Sequence, residues 1–158
     1  MFIDQADLFL RTSRRFVKRV MAVERRVFYP QGQIVFREGD PAGCFFVLLD
    51  GCVRLHLGQA GQTVHVVNRP GEAFGWSSLV SRPIFSATAR CTAPTTLLIF
   101  DHQHFARILE EEPADGLVFY KNLAFLLGNR LLQTYGRIGA NQQGHALGSG
   151  QFQQAEAI

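Results

Sequence analysis

The spacing of turn-forming residues between residues 26 and 100 constrains the fold of this chain more than any other feature. Short apolar runs in this region are separated by clusters of glycine, proline and aspartate. One cluster occupies residues 39–43, and Asp50-Gly51 is a strong signal for a tight hairpin. Short strands punctuated by turns at regular intervals are typical of a β-sandwich or β-barrel.

Helical patterns lie on both sides of this region. Before it, apolar residues recur at helical spacing among basic residues, and Ser13 is placed to cap part of that segment. After it, Asp101 is suited to cap a short helix that ends before Pro113, and a longer helix follows. We therefore predict a mainly β fold with an N-terminal helix, a short C-terminal helix and a long one.

The pattern divides the 158-residue chain into four segments within one domain. A basic amphipathic helical segment covers residues 1–25, and the β-barrel covers residues 26–100. The C-terminal helices are predicted at residues 101–138. Residues 139–158 are rich in glycine, glutamine and alanine, which is typical of a flexible tail.

Positive charge is concentrated at the N-terminus. The first thirty residues carry a net charge of +4, whereas the rest of the chain carries −1. The basic pI is therefore weak evidence for nucleic-acid binding by the domain itself. Three roles for residues 11–26 stay open, namely packing on the barrel, peripheral contact with an anionic membrane, and docking of an acidic partner or nucleic acid.

The sequence contains no recognisable membrane span or secretory signal, so we expect a cytoplasmic protein. Cys44, Cys52 and Cys91 lie far apart in apolar surroundings, which is typical of buried, reduced thiols. Neither a metal-ligand spacing nor a catalytic motif stands out. We therefore expect a protein that is not an enzyme and has no metal site.

The long helix has an apolar seam that predicts dimerisation. Its apolar positions recur in steps of three and four, which is the a/d spacing of a coiled coil. We predict a homodimer whose interface contains Leu117, Tyr120, Ala124, Leu127, Leu131 and Thr134.

Two separated groups of residues match known signatures in residue type and spacing. The first group is Gly39, Asp40, Ala42, Phe45, Phe46, Val47, Leu48 and Gly51. The second group is Phe74, Gly75, Ser78, Leu79, Ser86, Ala87, Ala89 and Cys91. With these motifs the chain resembles the cyclic nucleotide-binding domain family of Crp/Fnr type over roughly residues 26–137. The resemblance implies an eight-stranded jelly-roll barrel, or double-stranded β-helix, that binds a regulatory ligand.

The chain departs from this family at the two charged ligand contacts. In the family's phosphate-binding cassette, a glutamate after the glycine bonds the ribose, and an arginine before the Ser-Ala pair binds the cyclic phosphate. Trp76 and Phe85 stand at these positions. A guanidinium–phosphate contact is a strong charge-assisted bond, and a buried phosphate without its counter-charge is costly.

The resemblance and its departures together predict a non-enzymatic sensory module that does not bind cyclic AMP in the usual way. We expect it to signal through a partner protein. The residues expected to line its ligand pocket are Phe74, Gly75, Trp76, Ser77, Ser78, Leu79, Arg82, Phe85, Ser86, Ala87 and Arg130.

Two alternatives stay open. Arg82 could replace the missing arginine and retain binding of cyclic AMP or cyclic GMP, or the aromatic rings could fill the site and leave a ligand-free scaffold. Related sensors use haem or an iron–sulfur cluster, which we do not expect here. Family transcription factors follow the long helix with a winged helix-turn-helix, whereas only about twenty residues follow it in this sequence, so we expect no direct reading of DNA.

Overall fold

A computed structural model describes residues 6–148, with side chains described for residues 6–136. The chain divides into two compact units, of which the first ends at Asn122 and the second begins at Leu123. The first unit contains the β-strands and the candidate site. The predicted mainly β jelly-roll fold with flanking helices is confirmed.

Eight antiparallel strands form two four-stranded sheets in the described part of the first unit. One sheet has the order β1-β8-β3-β6 and the other has the order β2-β7-β4-β5. The strands are β1 (Glu24–Tyr29), β2 (Ile34–Phe36), β3 (Cys44–Asp50), β4 (Val53–Leu57), β5 (Gln62–Val67), β6 (Ala73–Phe74), β7 (Thr88–Cys91) and β8 (Thr95–Asp101).

The predicted turn at Asp50-Gly51 joins β3 to β4. Gly51 has a φ of +100°, and a Cβ atom at this position would lie 2.4 Å from the Pro94 carbonyl oxygen. Glycine is therefore required both by the backbone conformation and by the close approach of the turn before β8.

The N-terminal helix α1 (Arg14–Met21) is shorter than predicted. Ser13 caps it as expected, since its hydroxyl accepts a hydrogen bond from the Phe16 N–H at 3.1 Å. The prediction of a helical segment through residue 25 is wrong, because β1 begins at Glu24 and pairs along its length with β8. The β-branched and aromatic residues 27–29 favour this strand. Residues 1–5 lie outside the described part.

The C-terminal helices are α2 (His102–Glu111) and α3 (Pro113–Gly148). The Asp101 side chain caps α2 as predicted, accepting from the His104 N–H at 3.0 Å. The prediction that a flexible tail begins at residue 139 is wrong for residues 139–148, which continue α3. This stretch contains no proline to end the helix, and Ala140, Ala146 and Leu147 favour its continuation. The rest of the predicted tail, residues 149–158, lies outside the described residues.

A cluster of phenylalanines joins the helices to the outer face of the β1-β8-β3-β6 sheet. Phe105 of α2 is its centre, with its ring centroid 4.8 Å from that of Phe119 and 5.0 Å from that of Phe45. All of its members are fully buried. We call this set the helical cluster, and it comprises Phe9, Phe16, Phe45, Phe100, Phe105 and Phe119.

Part of the basic N-terminal charge is paired with the acidic end of α2. Arg15 Nε lies 2.8 Å from Glu112 Oε1, and Arg19 bonds to Glu111 and Glu112. The hydrogen bond that Arg19 donates to Glu111 is the main cause that raises the pKa of Arg19. Phe16 and Val20 bury the opposite side of α1. These contacts fit the first of the three predicted roles, in which this segment packs on the barrel.

No helix within the described range has the length and apolar character needed to cross a membrane.

Candidate ligand site

The candidate site is the segment between β6 and β7, where the family's phosphate-binding cassette was predicted. Gly75 leads into a 3₁₀ helix at Trp76–Val80. Its φ is +69°, and a Cβ atom there would lie 2.7 Å from the Phe46 ring. Both the left-handed backbone and the aromatic ring beside it require glycine at this turn.

Phe85 is held by the loop that carries the first motif. Its N–H donates to the Asp40 carbonyl at 2.9 Å, and its carbonyl accepts from the Gly39 N–H at 2.9 Å. The two motifs, which are far apart in the sequence, therefore meet at this residue. Their contact determines where the side chain at position 85 enters the barrel.

The Phe85 side chain is a core residue, with only 4% of its surface exposed. Its ring stacks on Phe36 with a centroid separation of 3.8 Å and an interplanar angle of 15°. Phe36 in turn stacks on Phe46, and Phe46 on Phe74. We call these four residues, Phe36, Phe46, Phe74 and Phe85, the inter-sheet cluster.

The polar atoms near this cluster are unusual because two of them are buried without a partner. Ser77 and Ser78 of the 3₁₀ helix are buried, as is Leu79. Among the described residues, neither Ser78 Oγ nor Trp76 Nε1 has a hydrogen-bond partner. Buried polar groups are nearly always bonded, so two such atoms at one turn call for an explanation such as a ligand or water.

Arg82 and Ser86, which were predicted to line the pocket, are exposed, and Ala87 is half-buried. The backbone N–H of Arg82 donates to the Ser77 carbonyl at 3.0 Å and fixes the turn. Arg130 belongs to the second unit, where it is half-buried. The first unit therefore brings together Phe74, Gly75, Trp76, Ser77, Ser78, Leu79 and Phe85.

A buried histidine–glutamate pair was missed by the sequence analysis. His65 Nε2 lies 2.6 Å from Glu72 Oε1, and the pair is largely shielded from solvent. The register sets His65 opposite the buried Leu55 and sets His56 opposite the exposed Thr63. The two histidines therefore lie on opposite faces of the sheet. A partner seven residues away in sequence has no periodic signal, so the pair is revealed only by the folding of the turn that carries Glu72 back onto β5.

Three ionisable side chains lie in or against the hydrophobic core between the two sheets. We call this core, which contains the inter-sheet cluster, the inter-sheet core. Burial raises the pKa of the Cys44 and Cys91 thiols and of the Tyr29 phenol. All three cysteines are free. The described residues include no group of three or more His, Cys, Asp or Glu side chains arranged to hold a metal ion.

The predicted dimer residues are mostly on the surface of α3. In the first unit, Leu117 and Tyr120 are exposed. In the second unit, Leu131 is 51% exposed and Leu127 is half-buried. Ala124 and Thr134 are also exposed, and the Thr134 hydroxyl donates to the Arg130 carbonyl at 3.0 Å.

Comparison with known proteins agrees with the geometry of the barrel and cassette. The model of the cyclic nucleotide-binding domain matches residues 26–112. The chain belongs to the cyclic nucleotide-binding domain family. It is 36% identical to the cyclic AMP receptor protein of Thermus thermophilus over 68% of its own length and 49% of that protein. The chain thus spans about half the length of this relative.

Solved structures give the same result. The catabolite activator protein of Thermus thermophilus superposes with a TM-score of 0.70 at 27% identity, over 87% of this chain and 63% of that one. The sensor domain of the transcriptional regulator DNR from Pseudomonas aeruginosa has a TM-score of 0.68 at 27% identity, over 82% of this chain and 89% of that one.

Proposed function

We propose that the chain is a non-enzymatic regulatory module that does not bind a cyclic nucleotide in the way its family does, and that it signals through a partner protein. The observation that carries this proposal is the stack of Phe85 on Phe36 at 3.8 Å. The position that supplies the family's phosphate-binding arginine holds a ring packed in the core instead.

The electrostatics of the cassette support the same conclusion. A cyclic phosphate placed against Phe85 would lose water without gaining a counter-charge from that position, which costs several kcal/mol in a low-dielectric site. Trp76 offers an N–H donor where the family offers a carboxylate. This set of groups favours a neutral or weakly polar ligand with an acceptor atom for Trp76 Nε1 or Ser78 Oγ.

Calorimetry with cyclic AMP and cyclic GMP tests the first part of the proposal. We expect no binding at micromolar concentrations for the natural chain. The double variant Trp76→Glu/Phe85→Arg restores the family's two charged contacts and should bind at least about tenfold more tightly, since a charge-assisted bond contributes about 1.5–3 kcal/mol. Trp76→Glu/Phe85→Leu is the matched control, because it opens the site without adding the cation.

Micromolar binding by the natural chain that disappears in Arg82→Ala would contradict the proposal and support the alternative in which Arg82 binds the phosphate. Trp76 is the single tryptophan of the sequence, so its fluorescence reports on the site directly. A ligand that occupies the site should change this emission. A broad screen of neutral compounds that leaves it unchanged would favour the ligand-free scaffold.

The proposed module is a homodimer formed through α3. This proposal is supported by Leu117, Tyr120 and Leu131, which are large hydrophobic side chains exposed on that helix. Sedimentation should give a dimer for the natural chain and a monomer for Leu131→Glu. The exposed Phe28 lies on β1, so Phe28→Glu is a control that should stay dimeric.

A further inference from the structure

Two arginines face each other on the outer side of the β2-β7-β4-β5 sheet. The register places Arg54 of β4 directly opposite Arg90 of β7. Their strand neighbours Val53, Ala89 and Cys91 are fully buried between the sheets. Because side chains alternate along a strand, both arginines lie on the outer face, with Cβ atoms about 5 Å apart.

This arrangement lacks an acidic partner among the described residues. Arg54 forms no ion pair there, and its Nε is buried without a hydrogen-bond partner. Arg90 reaches only the Gly32 carbonyl, at 3.5 Å. The carboxylate of Glu38 is bonded elsewhere on this sheet, since it accepts from the Gly58 N–H at 2.9 Å, and the Glu38 N–H donates to the Thr88 hydroxyl at 3.0 Å. Like charges directly opposite each other destabilise a sheet, so an anion bound between them would be favoured.

The flanking residues indicate what kind of anion fits. In the same row across the sheet, Ile34 lies opposite Arg90 and Val66 lies opposite Arg54. Val66 is 41% exposed. The row therefore places two guanidinium groups between two aliphatic side chains. Guanidinium groups bind carboxylates with paired hydrogen bonds, and the aliphatic groups can contact apolar side chains beside the carboxylate.

We propose that this face, the Arg54–Arg90 row, binds an acidic segment of a partner protein in which carboxylates alternate with apolar side chains. Two cations are few for a nucleic acid, whose binding surfaces contact many phosphates, and few for an anionic membrane, which attracts larger basic clusters. The inference deepens the proposed function by giving the chemistry of its partner. The face is separate from the cassette, so binding at the two sites can fail independently.

Fluorescence anisotropy with a short labelled peptide of glutamate and leucine tests this proposal at low salt. We expect the peptide to bind the full chain and a matched glutamine–leucine peptide not to bind. Arg54→Gln and Arg90→Gln should each weaken binding about tenfold, which is the loss of one charge-assisted bond. Arg14→Gln on α1 removes the same charge from an exposed position and should leave the affinity unchanged.

Thermal unfolding without the peptide gives a second measurement. Arg54→Gln should unfold at the same or a higher temperature than the natural chain, because it removes a like-charge contact. Equal loss of binding in Arg14→Gln would overturn the proposal, as would tighter binding of single-stranded DNA or phosphatidylserine vesicles than of the acidic peptide. Absence of peptide binding would overturn it too, and Trp76 fluorescence would still report separately on the cassette.

Discussion

The two phenylalanine clusters use the same side chain for different purposes. The helical cluster joins three helices to the outside of one sheet, and its rings meet mainly at tilted or edge-to-face angles. The inter-sheet cluster lies between the sheets, and three of its five ring pairs are stacked, at interplanar angles of 15–30°. The first holds the helices on the barrel, whereas the second contains Phe85, which stands at the position of the family's phosphate-binding arginine.

The clusters also differ in their polar surroundings. The helical cluster consists of fully buried hydrocarbon rings. Unpartnered polar atoms lie beside both clusters, at Trp76 and Ser78 in one case and at Glu24, opposite Phe100, in the other. The inter-sheet cluster differs in sharing its hydrophobic core with an ionisable thiol, Cys91. The helical cluster therefore contains no group that titrates, whereas a titratable thiol is buried in the same core as the inter-sheet cluster.

The largest effect is expected from Phe105→Ala. Phe105 contacts the five other rings of the helical cluster, so its removal leaves a cavity that helices and sheet cannot both close. The free energy of unfolding should fall by about 3–5 kcal/mol. Urea denaturation measures this loss. The control Phe28→Ala removes a ring that is 64% exposed and should change stability by less than about 0.5 kcal/mol. A loss below about 1 kcal/mol for Phe105→Ala would contradict the role given to the helical cluster.

Phe85→Ala should cost less, about 3 kcal/mol, because among the described rings Phe85 packs against two, Phe36 and Phe46, rather than five. The distinguishing result is a change in Trp76 fluorescence, which we expect for Phe85→Ala and not for Phe105→Leu. Equal changes in emission for both variants would show that the two clusters are coupled, which contradicts the separate roles given to them.

Ser13→Ala tests how much the Ser13 cap contributes to holding α1 against α3. The Ser13 hydroxyl accepts from the Phe16 N–H and donates to Asp115 Oδ2 at 2.7 Å, so it links α1 to α3. Losing this cap should lower the free energy of unfolding by about 1 kcal/mol. Ser86→Ala, at an exposed position, is the matched control and should unfold at the same urea concentration as the natural chain. An unchanged midpoint for Ser13→Ala would show that the buried face of α1 and its ion pairs hold the helix without the cap.

The sequence predicts the barrel and two helix caps, but not the side-chain contacts that build the candidate site. Turn spacing and the two motifs predicted the barrel, and Ser13 and Asp101 predicted two helix caps, because these signals are local. The stacking of Phe85 on Phe36 joins residues far apart in the chain and depends on the loop hydrogen bonds of Asp40. The Arg54–Arg90 pair depends on strand register, which no local pattern determines. The His65–Glu72 pair depends on how the turn between β5 and β6 folds.

The smallest expected effect is a dependence of stability on alkaline pH that arises from the inter-sheet core. The pKa values of Cys44 and Cys91 are raised above their ordinary value of 9.0 because burial disfavours the thiolate, and burial likewise raises the pKa of Tyr29. The folded state therefore favours the protonated forms. Their contribution is fully present below about pH 9 and is lost as the pH rises through the folded-state pKa values.

Urea denaturation at pH 7 and at pH 10 should thus show a lower free energy of unfolding at the higher pH. The triple variant Cys44→Ala/Cys91→Ala/Tyr29→Phe should show a smaller decrease between the two pH values, whatever its stability at pH 7. Phe105→Leu is the control from the other cluster. It should be less stable at both pH values and show the same decrease as the natural chain, because the helical cluster contains no ionisable side chain. A decrease that the triple variant retains in full would place the responsible groups outside the inter-sheet core and remove this difference between the two clusters.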